Sequence, residues 1–188
     1  YKDVGARLSA ASWYDDVYNP DNDNDSPGTA NSLSVEYDEF TSDTRRIHEQ
    51  HTEILDAFVY GSREIGTTSL SGRLGQFTQI YGESLFYGAN GIANAQSTVD
   101  LVKLQSVPSS QFKEILMPTQ QVSGNWQLND TVSIGAYYQF KWNKTRLPAA
   151  GSYFSGADFV GEGGERVFFP TGELRHGKDI DARDSGQF

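Results

Sequence analysis

Two runs of alternating apolar and polar residues, joined by a short polar turn, lie at residues 121–128 and 132–142. In both runs the even-numbered residues are apolar or glycine, and most odd-numbered residues are polar. Strand side chains point to opposite faces in turn, so the pattern predicts a β-hairpin with one apolar and one polar face. The residues Asn129-Asp130-Thr131 supply the turn.

The same alternation predicts strands near residues 4–14, 53–64 and 69–80, with long loops at 15–52, 81–119 and 143–183. The connections alternate between about four and about 40 residues, as in membrane barrels with short turns at one end and long loops at the other. The predicted fold class is therefore all-β: an antiparallel up-and-down transmembrane β-barrel segment of about five to six strands. We expect its long extracellular loops to carry short helices.

Residues 1–188 are predicted to form a single domain that is part of a larger barrel. Five strands cannot close a bacterial barrel, which needs at least eight, and unpaired strand edges are costly in lipid. The chain begins at Tyr1 rather than Met, and a further strand is expected to begin at Asp184-Ser-Gly-Gln-Phe188. Both features lead us to expect a piece of a longer polypeptide.

The two faces of the predicted sheet have different expected roles. The apolar face is expected to contact lipid, with Trp126 deep in the band and an interface girdle formed by Trp13, Tyr14, Tyr81, Phe140 and Trp142. The opposite face is expected to line the lumen with Asp56, Phe58, Tyr60, Glu64, Arg73, Phe77, Tyr137 and Gln139. The charged side chains are interpreted either as a ligand-guiding lumen or as ion pairs between neighbouring strands. The aromatic rings form either a track for an apolar substrate or a layer packed under an inward-folded loop. Gln111–Met117 is the best candidate for that loop.

Composition narrows the choice of partners. The net charge is −10, which argues against nucleic acid. The chain has no Cys, so disulfides and thiol chemistry are excluded. No run approaches the roughly 18 to 20 apolar residues of a membrane helix.

An acidic stretch in the first long loop is a candidate Ca²⁺ site. Asp21, Asp23 and Asp25 are spaced like the first three ligands of an EF-hand, but Ser26 and Ser32 stand where that motif needs Gly and Glu. The open alternatives are a weaker site built on these three aspartates and a solvated loop. No other cofactor is expected.

Candidate catalytic residues are few. The three histidines are His48, His51 and His176, and the first two could share a helix face as metal ligands, although no third ligand is evident. Ser84 does not lie in a Gly-x-Ser-x-Gly motif, and no His falls on a predicted strand. We therefore expect no enzymatic activity; an outer-membrane hydrolase remains an alternative.

Several stretches carry a resemblance to a known family. They are residues 55–61, 81–86, 112–124, 137–142, 145–155 and 179–188. In this order they resemble the DUF1302 family of Gram-negative outer-membrane proteins, from about Asp56 to Phe188 and more weakly before it. Members are longer, so the resemblance implies an N-terminal portion of the barrel. It supplies no catalytic residues.

The resemblance implies a bacterial outer-membrane location and traffic of hydrophobic molecules or lipids. It also implies a periplasmic DUF1329-type partner and an inner-membrane transporter. The prediction is thus a barrel segment contributing to a conduit for hydrophobic molecules, in contact with the lipid bilayer. The other candidate functions are a cell-surface β-domain with a Ca²⁺-binding acidic loop and a hydrolase.

Overall fold

The computed structural model describes residues 3–19, 21–80, 97–157 and 159–180. The predictions for Tyr81, for Ser84 and for a strand beginning at Asp184 lie outside these residues. The described part is mostly sheet with few helices. Its strands, in chain order, are β1 Val4–Tyr14, β2 Gln50–Ile65, β3 Thr68–Phe77, β4 Thr98–Val99, β5 Leu116–Met117, β6 Thr119–Gln127, β7 Ser133–Gln139, β8 Arg166–Phe169 and β9 Gly172–Arg175.

The main sheet contains five antiparallel strands in the order β1-β2-β3-β6-β7. Within the described residues, β1 and β7 are therefore its two edges. Strand β2 begins at Gln50, three residues before the predicted start, while β3 ends at Phe77 and β7 at Gln139, each three residues before the predicted end. Phe140 still donates its N–H to the carbonyl of Gln120 (2.9 Å), which continues the β6–β7 pairing by one residue.

Two tight turns join the hairpins at one end of the sheet. Gly66 lies between β2 and β3 with a φ of 65°, a conformation that glycine adopts without steric cost. Between β6 and β7, the Asn129 side-chain oxygen accepts from the N–H groups of Thr131 and Val132, both at 2.9 Å. This is the Asx geometry expected of a turn-forming Asn.

One face of the sheet is apolar and uncovered in the described structure. Aligned pairs place Ala6, Val59, Leu74, Val122 and Tyr138 in one row across all five strands. A second row contains Arg63, Leu70, Trp126 and Ile134, and the row between them is Val4, Gly61, Gly72, Gly124 and Ala136. Exposure of the large apolar side chains in the two rows runs from 37 % at Val122 to 55 % at Ile134. We name these residues the outer face.

A β-bulge interrupts the alternation between β1 and β2. Leu8 pairs with Ala57 and Ala10 with Ile54, so Ser9 stands opposite two residues, Leu55 and Asp56. The Ser9 hydroxyl donates to the Asp56 carboxylate (3.2 Å) and accepts from the Asp56 N–H (3.0 Å). The predicted alternation, which grouped Leu55 with Ala57, is therefore wrong before residue 57, because the extra residue reverses the phase.

The buried core lies mainly in the long connections, which pack together at the end of the sheet opposite the two turns. We name this assembly the cap. Its most buried large side chains are Tyr18, Phe40, Ile47, Ile115 and Leu116. The first and third connections meet through hydrogen bonds such as that from the Tyr153 N–H to the Tyr18 hydroxyl (3.2 Å).

The cap contains more secondary structure than the sequence predicts. Residues 143–183 were expected to be a loop, yet they contain the β8–β9 hairpin, whose four-residue strands are too short for alternation to reveal. The described part of the second long loop contains a short helix at Leu101–Ser106. A second short helix, Phe112–Ile115, is capped by Gln111 and Glu114. No helix in the described ranges is long and apolar enough to cross a membrane.

Candidate functional site

The eight candidate lumen residues all lie on the face opposite the outer face, which we name the inner face. Pairing aligns Tyr60, Arg73 and Tyr137 in one row through Ser123. The neighbouring row runs from Phe58 through Gly75 and Gln121 to Gln139. The period-two pattern thus assigned these side chains to a common face, because seven of the eight lie beyond the bulge. Asp56 lies within the bulge and reaches the same face through its contacts with Arg7 and Ser9.

The structure brings part of this set into contact. Phe58 is central: its ring lies 5.4 Å from that of Phe77 and 6.0 Å from that of Tyr60, and the Arg73 guanidinium lies 5.9 Å from its centroid. Asp56 pairs with Arg7 of β1 at 3.0 Å, so one inward charge is balanced across strands. Glu64 stays apart, near the β2–β3 turn. The inner face therefore has aromatic rings at its centre and charged groups around them.

An ionic cluster that the sequence did not indicate joins the inner face to the cap. The Arg146 guanidinium contacts the carboxylates of Glu53 and Asp100, the latter at 2.8 Å, and lies 5.7 Å from the ring of Trp13. The three charged side chains are only 18 %, 19 % and 9 % exposed. Burial lowers the pKa of Arg146, but its bonds to the two carboxylates outweigh burial and raise that pKa above the ordinary value.

The same residues are tied through their backbones. The Arg146 N–H donates to the Val99 carbonyl (3.0 Å), and the Arg146 carbonyl accepts from the Leu101 N–H (2.9 Å). Asp100 also accepts from the Lys103 N–H (3.0 Å) and so caps the helix that follows it. Glu53 of β2 thereby anchors residues 98–118 over the inner face. The predicted inward-folded loop is part of this segment.

A cavity of about 880 Å³ lies between residues 98–118, the end of the sheet next to the cap, and the third long connection. Apolar side chains from all three parts line it, including Leu55, Val102 and Phe154, and so do Trp13 and the Arg146 cluster. Pockets that bind small molecules have volumes of roughly 300–1,000 Å³ and mixed linings of this kind. The cavity and the inner face together form the candidate site.

His48 lies buried in an aromatic cluster beside this cavity. Its ring stacks on Tyr18 (centroids 5.1 Å apart) and faces Phe154 (6.2 Å), and its Nε2 accepts from the Ala149 N–H (3.1 Å). An imidazole that accepts at Nε2 is neutral and carries its proton on Nδ1. Burial lowers the pKa of His48, although Asp15 and Asp100 act in the opposite direction. Neutral His48 is thus a structural link between the first and third connections.

The possible metal pair of His48 and His51 is not formed. A π-helical turn over Arg45–Glu49 precedes β2, and His51 already belongs to the strand, where it pairs with Trp13. Trp13 was expected in the interface girdle of the apolar face, but it does not lie on that face. Its indole lies on the inner side, 5.4 Å from the His51 ring, and its N–H donates to the Ile47 carbonyl (3.1 Å).

The acidic loop does not gather its carboxylates. Asp21, Asp23 and Asp25 are exposed, whereas the intervening Asn22 and Asn24 are half-buried and their side chains accept from backbone N–H groups two residues on. Extended backbone alternates side chains, so the asparagines face the protein and the aspartates face water. Within the described ranges, no group of three His, Cys, Asp or Glu residues could hold a metal ion. The three aspartates do not form such a group in this structure, and Ca²⁺ binding by the loop stays a prediction.

The third connection is fastened to the first by a further set of polar contacts. Glu165 accepts from the backbone of Leu33 and from the hydroxyl of Ser34 (2.5 Å). Arg166 donates to the carbonyl of Ala30 (2.8 Å). Within the third connection, His176 bonds to the Gly164 carbonyl (2.6 Å) and to Asp179 (3.1 Å), and these two bonds raise its pKa. These contacts are consistent with a structural role in the cap.

The fold and the site define a mostly-β protein whose principal antiparallel sheet separates an apolar face from a polar and aromatic one. The chain belongs to the DUF1302 family, described as "Protein of unknown function", whose profile matches residues 1–188. The match includes the first 55 residues, where the resemblance was weaker. The chain matches no curated protein and no solved structure.

Proposed function

We propose that this chain forms part of the wall of an outer-membrane β-barrel that conducts hydrophobic molecules or lipids. The observation that carries the proposal is the uncovered outer face, with its row of Ala6, Val59, Leu74, Val122 and Tyr138 across five strands. A water-facing sheet would expose mostly charged or polar side chains there, because contiguous apolar patches favour association. The charged residue in these rows is Arg63, which lies near the β2–β3 turn. Lipid is a partner that suits such a surface.

The dimensions support the same proposal. From Val132 to Phe140 the hairpin advances eight residues, or about 26 Å at about 3.3 Å per residue. A tilted strand of about ten residues crosses the bilayer core. The short turns and the cap lie at opposite ends, an arrangement typical of barrels whose turns are periplasmic and whose long loops are outside.

The inner face supports the conduit part of the proposal. Phe58 and Tyr60 offer ring surface to an apolar cargo, Phe77 is buried and packs against Phe58, and Arg73 lies beside the Phe58 ring. Near this track Asp56 is paired with Arg7, and the Arg73 guanidinium lies over the Phe58 ring, so these charges leave the wall open to uncharged molecules. A periplasmic DUF1329-type protein and an inner-membrane transporter would then be partners at the short-turn end.

Nitroxide labels at successive positions of β3 test the membrane part. In the full-length protein reconstituted in bilayers, oxygen accessibility is expected to be high at Leu70, Gly72 and Leu74 and low at Ser71 and Arg73. Oxygen concentrates in hydrocarbon, so this alternation reports lipid contact. Uniform accessibility, or low accessibility at Leu74, would contradict the proposal.

Uptake of N-phenylnaphthylamine by cells tests the conduit part. Deletion of the full gene should slow uptake, and Phe58→Asp in the restored gene should slow it as well, because a charge interrupts the aromatic track. Ser62→Asp is the matched control, since Ser62 lies on the same strand and face but nearer the turn. Normal uptake after deletion would contradict a conduit for this class of molecule.

A further inference from the structure

The cavity under residues 98–118 has a lining that restricts which ligand fits it. Leu55, Val102 and Phe154 contribute apolar surface from three parts of the chain. Its volume of about 880 Å³ accommodates a small lipid-like molecule. The apolar surface alone would accept any ligand with an apolar chain, so the charged residues of the lining determine which head group binds.

Carboxylates outnumber basic groups in this lining, six to four. Arg146 is shared between Glu53 and Asp100, so this buried trio carries one net negative charge. Arg46 and Lys144 both contact Glu162, and each has a second carboxylate partner outside the lining.

The remaining basic residue of the lining is Lys103, whose Nζ donates to the Glu114 carbonyl (2.9 Å). Three of the four basic residues are thus paired with carboxylates, and Lys103 is held by a backbone carbonyl that does not neutralise it. Because the carboxylates of the lining remain in excess, an anionic head group would meet net negative charge. A protonated amine would add the charge that the wall lacks.

We infer that the cavity is a binding site for single-chain amphiphiles with a protonated amine, whose apolar chain lies against Leu55, Val102 and Phe154 while the amine faces the Glu53–Asp100–Arg146 cluster. The inference rests on the proposed function for the apolar class of cargo and deepens it by naming the head group. The site lies at the cap end of the inner face, where such a molecule would be held before it moves along the wall.

Trp13 reports occupancy because it lines the cavity beside Arg146. The full-length protein in lipid nanodiscs is titrated with 12-bromododecylamine, 12-bromododecanol or 12-bromododecanoate, and bromine quenching of fluorescence is followed. Subtracting the signal of Trp13→Phe isolates the contribution of this indole. We expect the amine to bind at least about tenfold more tightly than the other two, from one charge interaction at a partly buried site.

Two variants on one helix separate cavity binding from partition into lipid. Val102→Phe fills the cavity and should weaken quenching by the amine about tenfold, because added volume in a lined pocket excludes the chain. Leu104→Phe is the matched control, since Leu104 is 44 % exposed and is not part of the lining. Equal quenching by all three amphiphiles, preference for the carboxylate, or no effect of Val102→Phe would overturn the inference.

The nitroxide scan of β3 keeps this test independent of the proposed function. A normal lipid pattern at Leu74 without amine-selective quenching refutes the inference alone. Selective quenching of Trp13 without lipid contact at Leu74 refutes the membrane proposal and leaves an amine-binding cavity in place.

Discussion

Arg146 holds two carboxylates that have little access to water, so its removal gives the sharpest energetic test of the cap. In Arg146→Met, Glu53 and Asp100 would face each other at 19 % and 9 % exposure without a cation between them. Breaking a buried pair costs about 3–5 kcal/mol, and partial exposure favours the lower end of that range. We therefore expect the free energy of opening residues 98–118 to fall by about 3 kcal/mol.

Hydrogen exchange measures this opening directly. The Leu101 and Arg146 N–H groups both lie in the backbone bonds that join the segment to the third connection. A loss of about 3 kcal/mol raises their exchange rates roughly 100-fold, since about 1.4 kcal/mol corresponds to tenfold. The unaltered protein is compared with Arg146→Met by hydrogen exchange and mass spectrometry.

Two further variants decide whether charge is the cause. Replacing Glu53 with Gln and Asp100 with Asn in the Arg146→Met background removes both unpaired charges and should restore much of the protection. Arg175→Met is the control, because Arg175 is 71 % exposed and its pair with Glu173 contributes little. Equal exchange in Arg146→Met and Arg175→Met would refute the assignment of a stabilising buried cluster.

Three other outcomes are expected. Under the proposed function, Leu74→Arg on the outer face should destabilise the protein by about 2–4 kcal/mol, and Ser71→Arg on the inner face of the same strand by much less, as measured by urea unfolding in bilayers. Gly75→Ala should be far more disruptive in the same assay than Gly66→Ala. A Cβ at Gly75, where φ is 135°, would lie 2.3 Å from the Ala57 carbonyl oxygen, whereas a Cβ at Gly66 meets open space. His48 has a lowered folded-state pKa, so the unfolded chain binds its proton more readily; stability is full above pH of about 6.5 and falls as the pH drops below it. Thermal unfolding at pH 7.5 and 5.5 should show this loss, and His48→Gln should reduce it; an unchanged pH dependence in that variant would rule out His48 as its source.

The sequence predicted the parts of the fold that depend on neighbours along the chain. Alternation located the β6–β7 hairpin and assigned Phe58 and Arg73 to one face, because a side-chain period of two is a local property. The bulge opposite Ser9 was missed, because Ile54 and Leu55 are both apolar and the sequence does not decide which of them faces outward. In the structure Ile54 and Ala57 lie on the same face although they differ in parity, which requires an extra residue between them.

The cap could not be predicted in this way. Arg146 meets Glu53 across 93 positions and Asp100 across 46, and no local pattern specifies such pairings. His48 illustrates the same difficulty. Its spacing from His51 indicated a shared helix face, but the helical turn ends at Glu49 and the two rings enter different surroundings. Packing between distant loops, rather than spacing, determines these roles.

The long separations within the cap also have a consequence for the order of folding. The two hairpin turns close over a few residues, whereas His48 meets Ala149 across 101 positions and Tyr18 meets Tyr153 across 135. Closing a short loop costs less entropy than closing a long one, so the hairpins are favoured as early structures. The cap forms only after the strands between its parts have paired. A sheet joined in the wrong register would bring the wrong loop ends together. The cap therefore forms late, and its contacts stabilise only a sheet whose strands are paired in the correct register.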